Sequence, residues 1–186
     1  MSNATFYSEW LGVEKNQFRI LSLLAPTGEF RGNLSDMCRK LHISSRQTTH
    51  RNALRENIAE LVAGGYITCN QSGRTYTLTA LPQKNVIEIP TEWLDRIMNH
   101  EHSSESVSWQ AVLKVFLWII MNPQEPIVTR EEIAEVIKFG VDTITSSLKV
   151  LENEYKAIVR KKVNEPLGNG EYMCIGLNIT PSAWWG

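Results

Sequence analysis

Between Ser45 and Arg55 the chain sets out side chains of the types that read base-pair edges. Ser45, Thr48, Thr49 and Asn52 carry short hydroxyl and amide groups, and Arg46 and Arg55 place guanidinium groups among them. In a major groove, arginine pairs with guanine and asparagine with adenine through two hydrogen bonds each, while short hydroxyls serve either base. From Arg31 to Arg55 there are six basic residues and one acid, Asp36, a local net charge of +5. A surplus of that kind matches the phosphate backbone of a nucleic acid. Glu56 fits poorly, because it repels phosphate unless it accepts from a cytosine amine or lies beyond the DNA. Arg51 falls nearer the inner side and suits a structural role as readily as a phosphate contact. An ordinary solvated helix also carries serine, threonine and arginine, so the local charge is what tilts the reading towards DNA.

These side chains need a helix to hold them and a second helix to aim it. Leu34, Met37, Cys38 and Leu41 recur at the spacing of one buried helical stripe, so a helix is expected over Leu34–Leu41. His42-Ile43-Ser44 makes the turn, with Ser44 and Gln47 set as a capping box. The next helix is expected from about Ser45 to Ala63, with Leu54, Ile58, Leu61 and Val62 inward, stopped by Gly64-Gly65. On a wheel of about 100° per residue, Ser45, Thr49, Asn52 and Glu56 then face outward, flanked by Arg46, Thr48 and Arg55. A hairpin follows: a strand over Tyr66–Asn70, a turn at Gln71-Ser72-Gly73, and a return strand from Arg74 to Leu81. In the return strand Tyr76 and Leu78 alternate with Thr75, Thr77 and Thr79. Arg74 at the tip reaches a minor groove or a phosphate, or simply keeps the hairpin soluble. Ahead of all this, Val13–Ala25 reads as a supporting helix with Val13, Gln17, Ile20, Leu21 and Leu24 inward and Phe18 near the edge. Phe6, Tyr7, Trp10 and Leu11 make Met1–Gly12 too apolar for a free tail; it packs on this module or on a partner subunit.

The second half repeats that order. Pro82–Asn85 reads as a linker, followed by a strand-like VIEI, Pro90 as a breaker, and a helix carrying Trp93, Leu94, Ile97 and Met98. Ser108 caps WQAVLKVFLWIIM, apolar on nearly every side and so deeply buried or at an interface. Pro123 and Pro126 break it. Thr129 and Glu132 form a capping box for the next helix, Phe139-Gly140-Val141 is the turn, and Asp142 caps a helix with Ile144, Leu148, Leu151 and Tyr155 inward. Ile158–Val163 and Glu171–Ile179 are strands around a loop. The outward residues here, Thr145, Ser146, Lys149 and Asn153, include a single cation, and Glu131, Glu132 and Glu135 lie on the preceding helix. Basic charge sits instead at Arg160, Lys161 and Lys162 on the hairpin. This module either grips phosphate through the hairpin or serves dimerisation and regulation. Trp184 and Trp185 near the end are expected to pack on this module or on a partner.

Composition narrows the classes. The chain has 186 residues, 42% of them hydrophobic and 21% charged, enough for real cores in one large or two small domains. Residues 1–85 carry ten Lys/Arg against six Asp/Glu, and residues 86–186 carry nine against fourteen, so the halves differ in sign. Cys38, Cys69 and Cys174 are too few and too scattered for a disulfide framework or a zinc site. His100 and His102 with Glu101 and Glu105 lack further ligands at metal spacing, so no metal or other cofactor is expected. The most apolar run, Ala111–Met121, is interrupted by Lys114 and is too short to span a bilayer. A soluble protein of the reducing cytoplasm is expected, with no membrane partner. No P-loop, dinucleotide fingerprint or catalytic triad is legible, so an enzyme is not expected.

The stretch from Asn33 to Leu81, with HISS at its turn and cap, AGGYI at its helix end and TCNQSGRTYTLTAL as its hairpin, resembles the winged helix-turn-helix of MarR-type regulators. The second half, IEIPTEWL followed by VTREEIAEVIKFGVDTITSSLKVLENEYKAIVRKK, is similar to the N-terminal domain of Firmicute plasmid replication initiators. Together these resemblances imply a mainly α protein with small β-hairpin wings: two winged helix-turn-helix modules in tandem, at residues 1–82 and 83–186. They imply binding of double-stranded DNA. A MarR regulator has one winged helix plus long dimerisation helices, whereas this chain has two winged modules. The expected function is sequence-specific binding by a bacterial or mobile-element transcriptional regulator. The alternatives are a plasmid or phage replication initiator or accessory factor and, in another class, a winged-helix protein-interaction module. A homodimer is expected, since one winged helix covers one half-site. An unnamed small-molecule or protein effector fits a cleft lined by Trp93, Trp109 or Trp118.

Overall fold

In the computed structural model, which describes residues 2–99, 106–122 and 127–182, the chain divides into two units, Met1–Leu94 and Asp95–Gly186. Among the described residues it forms seven α-helices and seven strands in three small antiparallel sheets, a mixed α+β architecture. No helix among them is long and apolar enough to cross a membrane. Residues 100–105, Pro123, Pro126, Trp184 and Trp185 lie outside the described residues.

In the first unit, helix α1 (Lys15–Leu24) is capped by Glu14, whose box partner Gln17 accepts from the Glu14 N–H at 3.3 Å. Gln17 therefore works at the helix start and is not a core residue, and its Nε2 donates to Glu60 at 2.6 Å. Phe18, expected near the edge, is wholly buried. Strand β2 (Glu29–Gly32) follows, and Asn33 caps α2 (Leu34–Lys40) by accepting from Ser35 and Asp36 N–H groups at 2.8 and 3.0 Å. The expected stripe of Leu34, Met37, Cys38 and Leu41 is buried, and burial pushes the Cys38 thiol up. The turn closes as a Schellman motif, with His42 left-handed (φ 53) and Ile43 N–H reaching back to Cys38 O at 2.9 Å.

Helix α3 spans Thr48–Ala63, three residues later than the sequence suggests. Its N-cap is Gln47, with no side-chain hydrogen bond, so the expected box of Ser44 and Gln47 does not form. The Ser44 carbonyl instead meets the His50 ring at 3.1 Å. Leu54, Ile58 and Leu61 are buried, while Val62 is 41% exposed and lies off the inner stripe. Gly65 (φ 72) ends the helix in a second Schellman turn, with Tyr66 N–H on Leu61 O at 3.0 Å.

The hairpin is β3 (Ile67–Ser72) and β4 (Thr75–Ala80) around Gly73-Arg74. Gly73 has φ 60, as the first central position of a II′ hairpin turn requires. Strand β4 lies between β3 and β2, a third strand that the sequence reading did not identify. Tyr76 and Leu78 face the core as expected.

The N-terminal residues are a strand, β1 (Asn3–Tyr7), paired antiparallel with β5 (Val86–Pro90). Ala4 lies opposite Ile89 and Phe6 opposite Ile87, and all four are buried. Phe6 meets Trp10 edge-on at 5.8 Å and Phe18 at 6.2 Å. The VIEI strand thus belongs to the first unit, and the division falls at Leu94/Asp95, inside helix α4 (Thr91–Asn99), later than the 82/83 boundary read from the linker. A run such as Pro82–Asn85 looks like a domain linker, yet the strand directly after it pairs with β1 in the same unit.

In the second unit, helix α5 (Trp109–Met121) buries ten of its thirteen residues, Gln110 and Lys114 included. Lys114 donates to the last carbonyl of α6 (Arg130–Ile137), Ile137 O, at 3.0 Å and lies 5.5 Å from the Phe139 ring. A cation at a helix C-terminus is favourably placed. Thr129 and Glu132 form the expected capping box. Lys138 (φ 59) ends α6, and Gly140, not Asp142, is the N-cap of α7 (Val141–Asn153). Ile144, Leu148, Leu151 and Tyr155 are inward as expected. Strands β6 (Ile158–Pro166) and β7 (Tyr172–Pro181) extend the hairpin beyond its expected ends. Val128 exchanges two 2.8 Å hydrogen bonds with Leu177, so a stub before α6 pairs with the return strand, as β2 does before α2.

Because Phe6 fills the first core, Phe6→Ala is expected to lower stability by ~3–5 kcal/mol. Denaturant unfolding measures it, and a loss below ~1 kcal/mol would show that the N-terminal strand is not part of that core.

Candidate nucleic-acid interface

Three elements of the first unit meet around one cleft of about 480 Å³: the start of α2, the outer side of α3, and the β3–β4 turn. Its lining includes Asn33, Ser35, Arg51, Arg55, Gln71 and Arg74, with Tyr76 behind them, and no carboxylate. Asp36, the nearby acid, is engaged with the Asn33 N–H and with Arg39. Arg51 and Arg55 share a face because they are four residues apart on α3. Arg74 comes from the tight turn, where Gly73 lets the chain reverse and the side chain project.

Each arginine is oriented differently. Arg51 donates through Nη2 to Ser35 Oγ at 2.9 Å, which ties α3 to α2, while its Nε–H is buried without an acceptor. A buried donor left open beside a polar cleft is an uncommon arrangement in a folded protein. Arg55 donates through Nη1 to Asn52 Oδ1 at 2.9 Å and so fixes which way the Asn52 amide points. Arg74 is exposed.

The residues singled out from the sequence divide accordingly. Thr48, Thr49 and Asn52 are exposed on the first two turns of α3. Ser45 and Arg46 are not on the helix; they lie in the turn before it, Ser45 half-buried and Arg46 exposed. Arg55 and Arg74 converge in the cleft, and Arg51, left open between two roles, joins them. Gln71, which the sequence marks only as part of a turn, lines the same cleft. The Arg51–Arg55 spacing was the signal available for this site. Glu56 is exposed on α3 and outside the cleft lining.

In the second unit Lys149 is exposed on α7. The basic run on β6 does not act as one cluster, because alternate strand residues face opposite sides. Arg160 and Lys162 line one cleft, and Lys161 does not. Arg160 is engaged with Glu152 through Nε at 2.9 Å and through Nη2, and Glu152 also accepts from the Arg160 backbone N–H at 3.3 Å. Its charge is thereby offset by that carboxylate. Hydrogen bonding from Arg160 holds the Glu152 carboxyl below its ordinary value. Among the described residues there is no group of His, Cys, Asp or Glu able to hold a metal ion.

No model of a known protein family matches the chain, and no curated protein does.

The Glu152–Arg160 pair carries a pH signature. Folding favours the carboxylate, so the stabilisation is present above the ordinary value of 4.5 and is lost as pH falls through the lowered one. Arg160→Gln should remove that dependence. Thermal melts from pH 7 down to 3 are expected to converge between wild type and variant at the acid end; parallel curves would contradict the pairing.

Proposed function

We propose that the chain binds double-stranded DNA with sequence preference, the first unit acting as a winged helix-turn-helix, and that it regulates transcription of a bacterial or mobile-element operon. The observation that carries this reading is the convergence of Arg51, Arg55 and Arg74 on a cleft with no carboxylate, next to the exposed Thr48, Thr49 and Asn52. Guanidinium groups on a helix and on the adjoining hairpin suit two phosphates along a duplex backbone, which sets register without reading sequence. The α3 residues then meet base edges. Asn52, its amide steered by Arg55, suits adenine, and the threonine hydroxyls and methyls suit neighbouring bases.

Pairing of two chains would present two such helices to a two-fold operator. Two of the apolar surfaces that could have mediated pairing, the N-terminal residues and α5, are buried within their own units. A second reading, replication initiation at tandem repeats, draws on the second unit, where a stub strand, two helices and a hairpin recur in the same order. Palindromic sites favour the regulator and direct repeats the initiator. A protein-interaction module is the reading that remains if DNA does not bind.

The test is fluorescence anisotropy with DNA fragments from around the protein's own gene at several salt concentrations. Wild type should bind with a steep salt dependence. Arg55→Ala/Arg74→Ala should weaken binding at least ~10-fold and flatten the log–log salt slope by about 2, one phosphate per arginine. Asn52→Ala should keep the slope and lose ~1–3 kcal/mol of discrimination at one base pair. Absent binding, or binding unchanged in the double variant, would overturn the reading.

A further inference from the structure

The second unit has a cleft of about 490 Å³ at the corresponding place in its own chain order. The first cleft is lined from the start of α2, from α3, and from both strands of the hairpin; the second is lined from the start of α6, from α7, and from both strands of its hairpin. What differs is where the cations stand. In the first unit they are on the second helix and the hairpin turn, and in the second they are Arg130 on α6 and Arg160 and Lys162 on β6, of which Arg160 is engaged with Glu152.

We infer that this cleft is a second phosphodiester-binding site, in which Arg130 and Lys162 take the backbone of a DNA duplex. The inference rests on the DNA reading given above and extends it to the second unit. Arg130 is held over the cleft, its Nη1 donating to Thr145 Oγ1 at 3.2 Å while that hydroxyl donates to Val141 O at 3.0 Å. The remaining guanidinium N–H groups of Arg130 carry the charge-assisted donors a phosphate needs. Lys162, two residues along β6 from Arg160, shares its face and is exposed. Arg160, bound to Glu152 at the end of α7, fixes β6 against that helix and so sets where Lys162 stands.

Glu131 also lines the cleft and opposes an anion there. With Arg160 offset by Glu152, Arg130 and Lys162 leave a net of one positive charge after Glu131, against three from Arg51, Arg55 and Arg74 in the first cleft. The second site is accordingly the weaker: it adds length and salt dependence to binding, and little affinity alone. The same carboxylate supplies a test that a folding defect cannot imitate, because its removal strengthens binding.

The experiment uses the full chain and a duplex of about four helical turns, ~40 bp, with salt titrations of wild type, Arg130→Gln/Lys162→Gln, Glu131→Gln and Arg55→Ala/Arg74→Ala. The Arg130/Lys162 variant is expected to lose about 2 from the salt slope, and Glu131→Gln to bind about threefold more tightly at low salt. A parallel arm measures the shift in melting temperature of wild type with inorganic phosphate. If wild type binds the duplex, the Arg55/Arg74 variant loses it, and both second-unit variants match wild type, this inference is overturned while the DNA reading stands. If phosphate stabilises wild type but not the Arg130/Lys162 variant, and that variant binds DNA normally, the cleft holds a free anion and the duplex assignment is overturned. Failure of wild type to bind any duplex overturns the DNA reading itself.

Discussion

The arrangement of the first unit depends on one buried stripe, Leu54, Ile58 and Leu61 on α3. Once that stripe is turned inward, with α3 packed on α1, the helical period decides which residues are left outside. Arg51 and Arg55 then face the hairpin, and Thr48, Thr49 and Asn52 face solvent. Burying the three side chains is worth ~1.5–3 kcal/mol each, far more than the surface pairs that decorate the helix. The hydrogen bonds from Gln17 to Glu60 and from Arg51 to Ser35 trim the orientation without setting it. A helix placed by its core side can afford a polar outer side chosen for a partner.

The hairpin needs a separate anchor, and it comes from β2. By pairing with β4, that short strand joins the hairpin to the stretch that enters α2, so the turn carrying Arg74 is referenced to the same frame as Arg51 and Arg55. The second unit reaches an equivalent closure with a single residue, Val128, bridging Leu177. Gly176 permits that approach: a Cβ there would stand 2.6 Å from Ile127 Cγ2 and 3.0 Å from the Val128 carbonyl oxygen. Within this unit the buried ammonium of Lys114 completes the end of α6, satisfying a carbonyl that burial would otherwise leave costly. The two units thus share an order of elements while placing charge differently upon it.

Local signals made much of this legible in the sequence. The α2 stripe, the Thr129–Glu132 box, the glycine stop after α3 and the alternation of Tyr76 with Leu78 all reside within a few residues, and all appear in the structure. What escaped depends on distant partners. Strand β1 meets β5 some eighty residues away, and an alternating pattern gives a strand its period but not its mate. That pairing moves the unit boundary past the proline-containing stretch at 82–85. Ser44 satisfies the usual capping preference and so suggests an earlier start for α3, yet its carbonyl meets the His50 ring and the helix begins after Gln47. The sequence places Arg160 in a basic run but does not show its partner Glu152, which lies across a turn, nor the contact of Arg130 with Thr145, fifteen residues off.

The central claim is that α3 and the adjoining hairpin turn form one DNA-facing surface. Amide hydrogen exchange on the full chain, alone and saturated with genomic duplex fragments, tests it most directly. The account predicts slowed exchange over residues 45–55 and 71–76 on DNA binding, with β1 and β5 unchanged. Protection confined to β1, β5 or α5, with residues 45–55 exchanging as in the free protein, would contradict it.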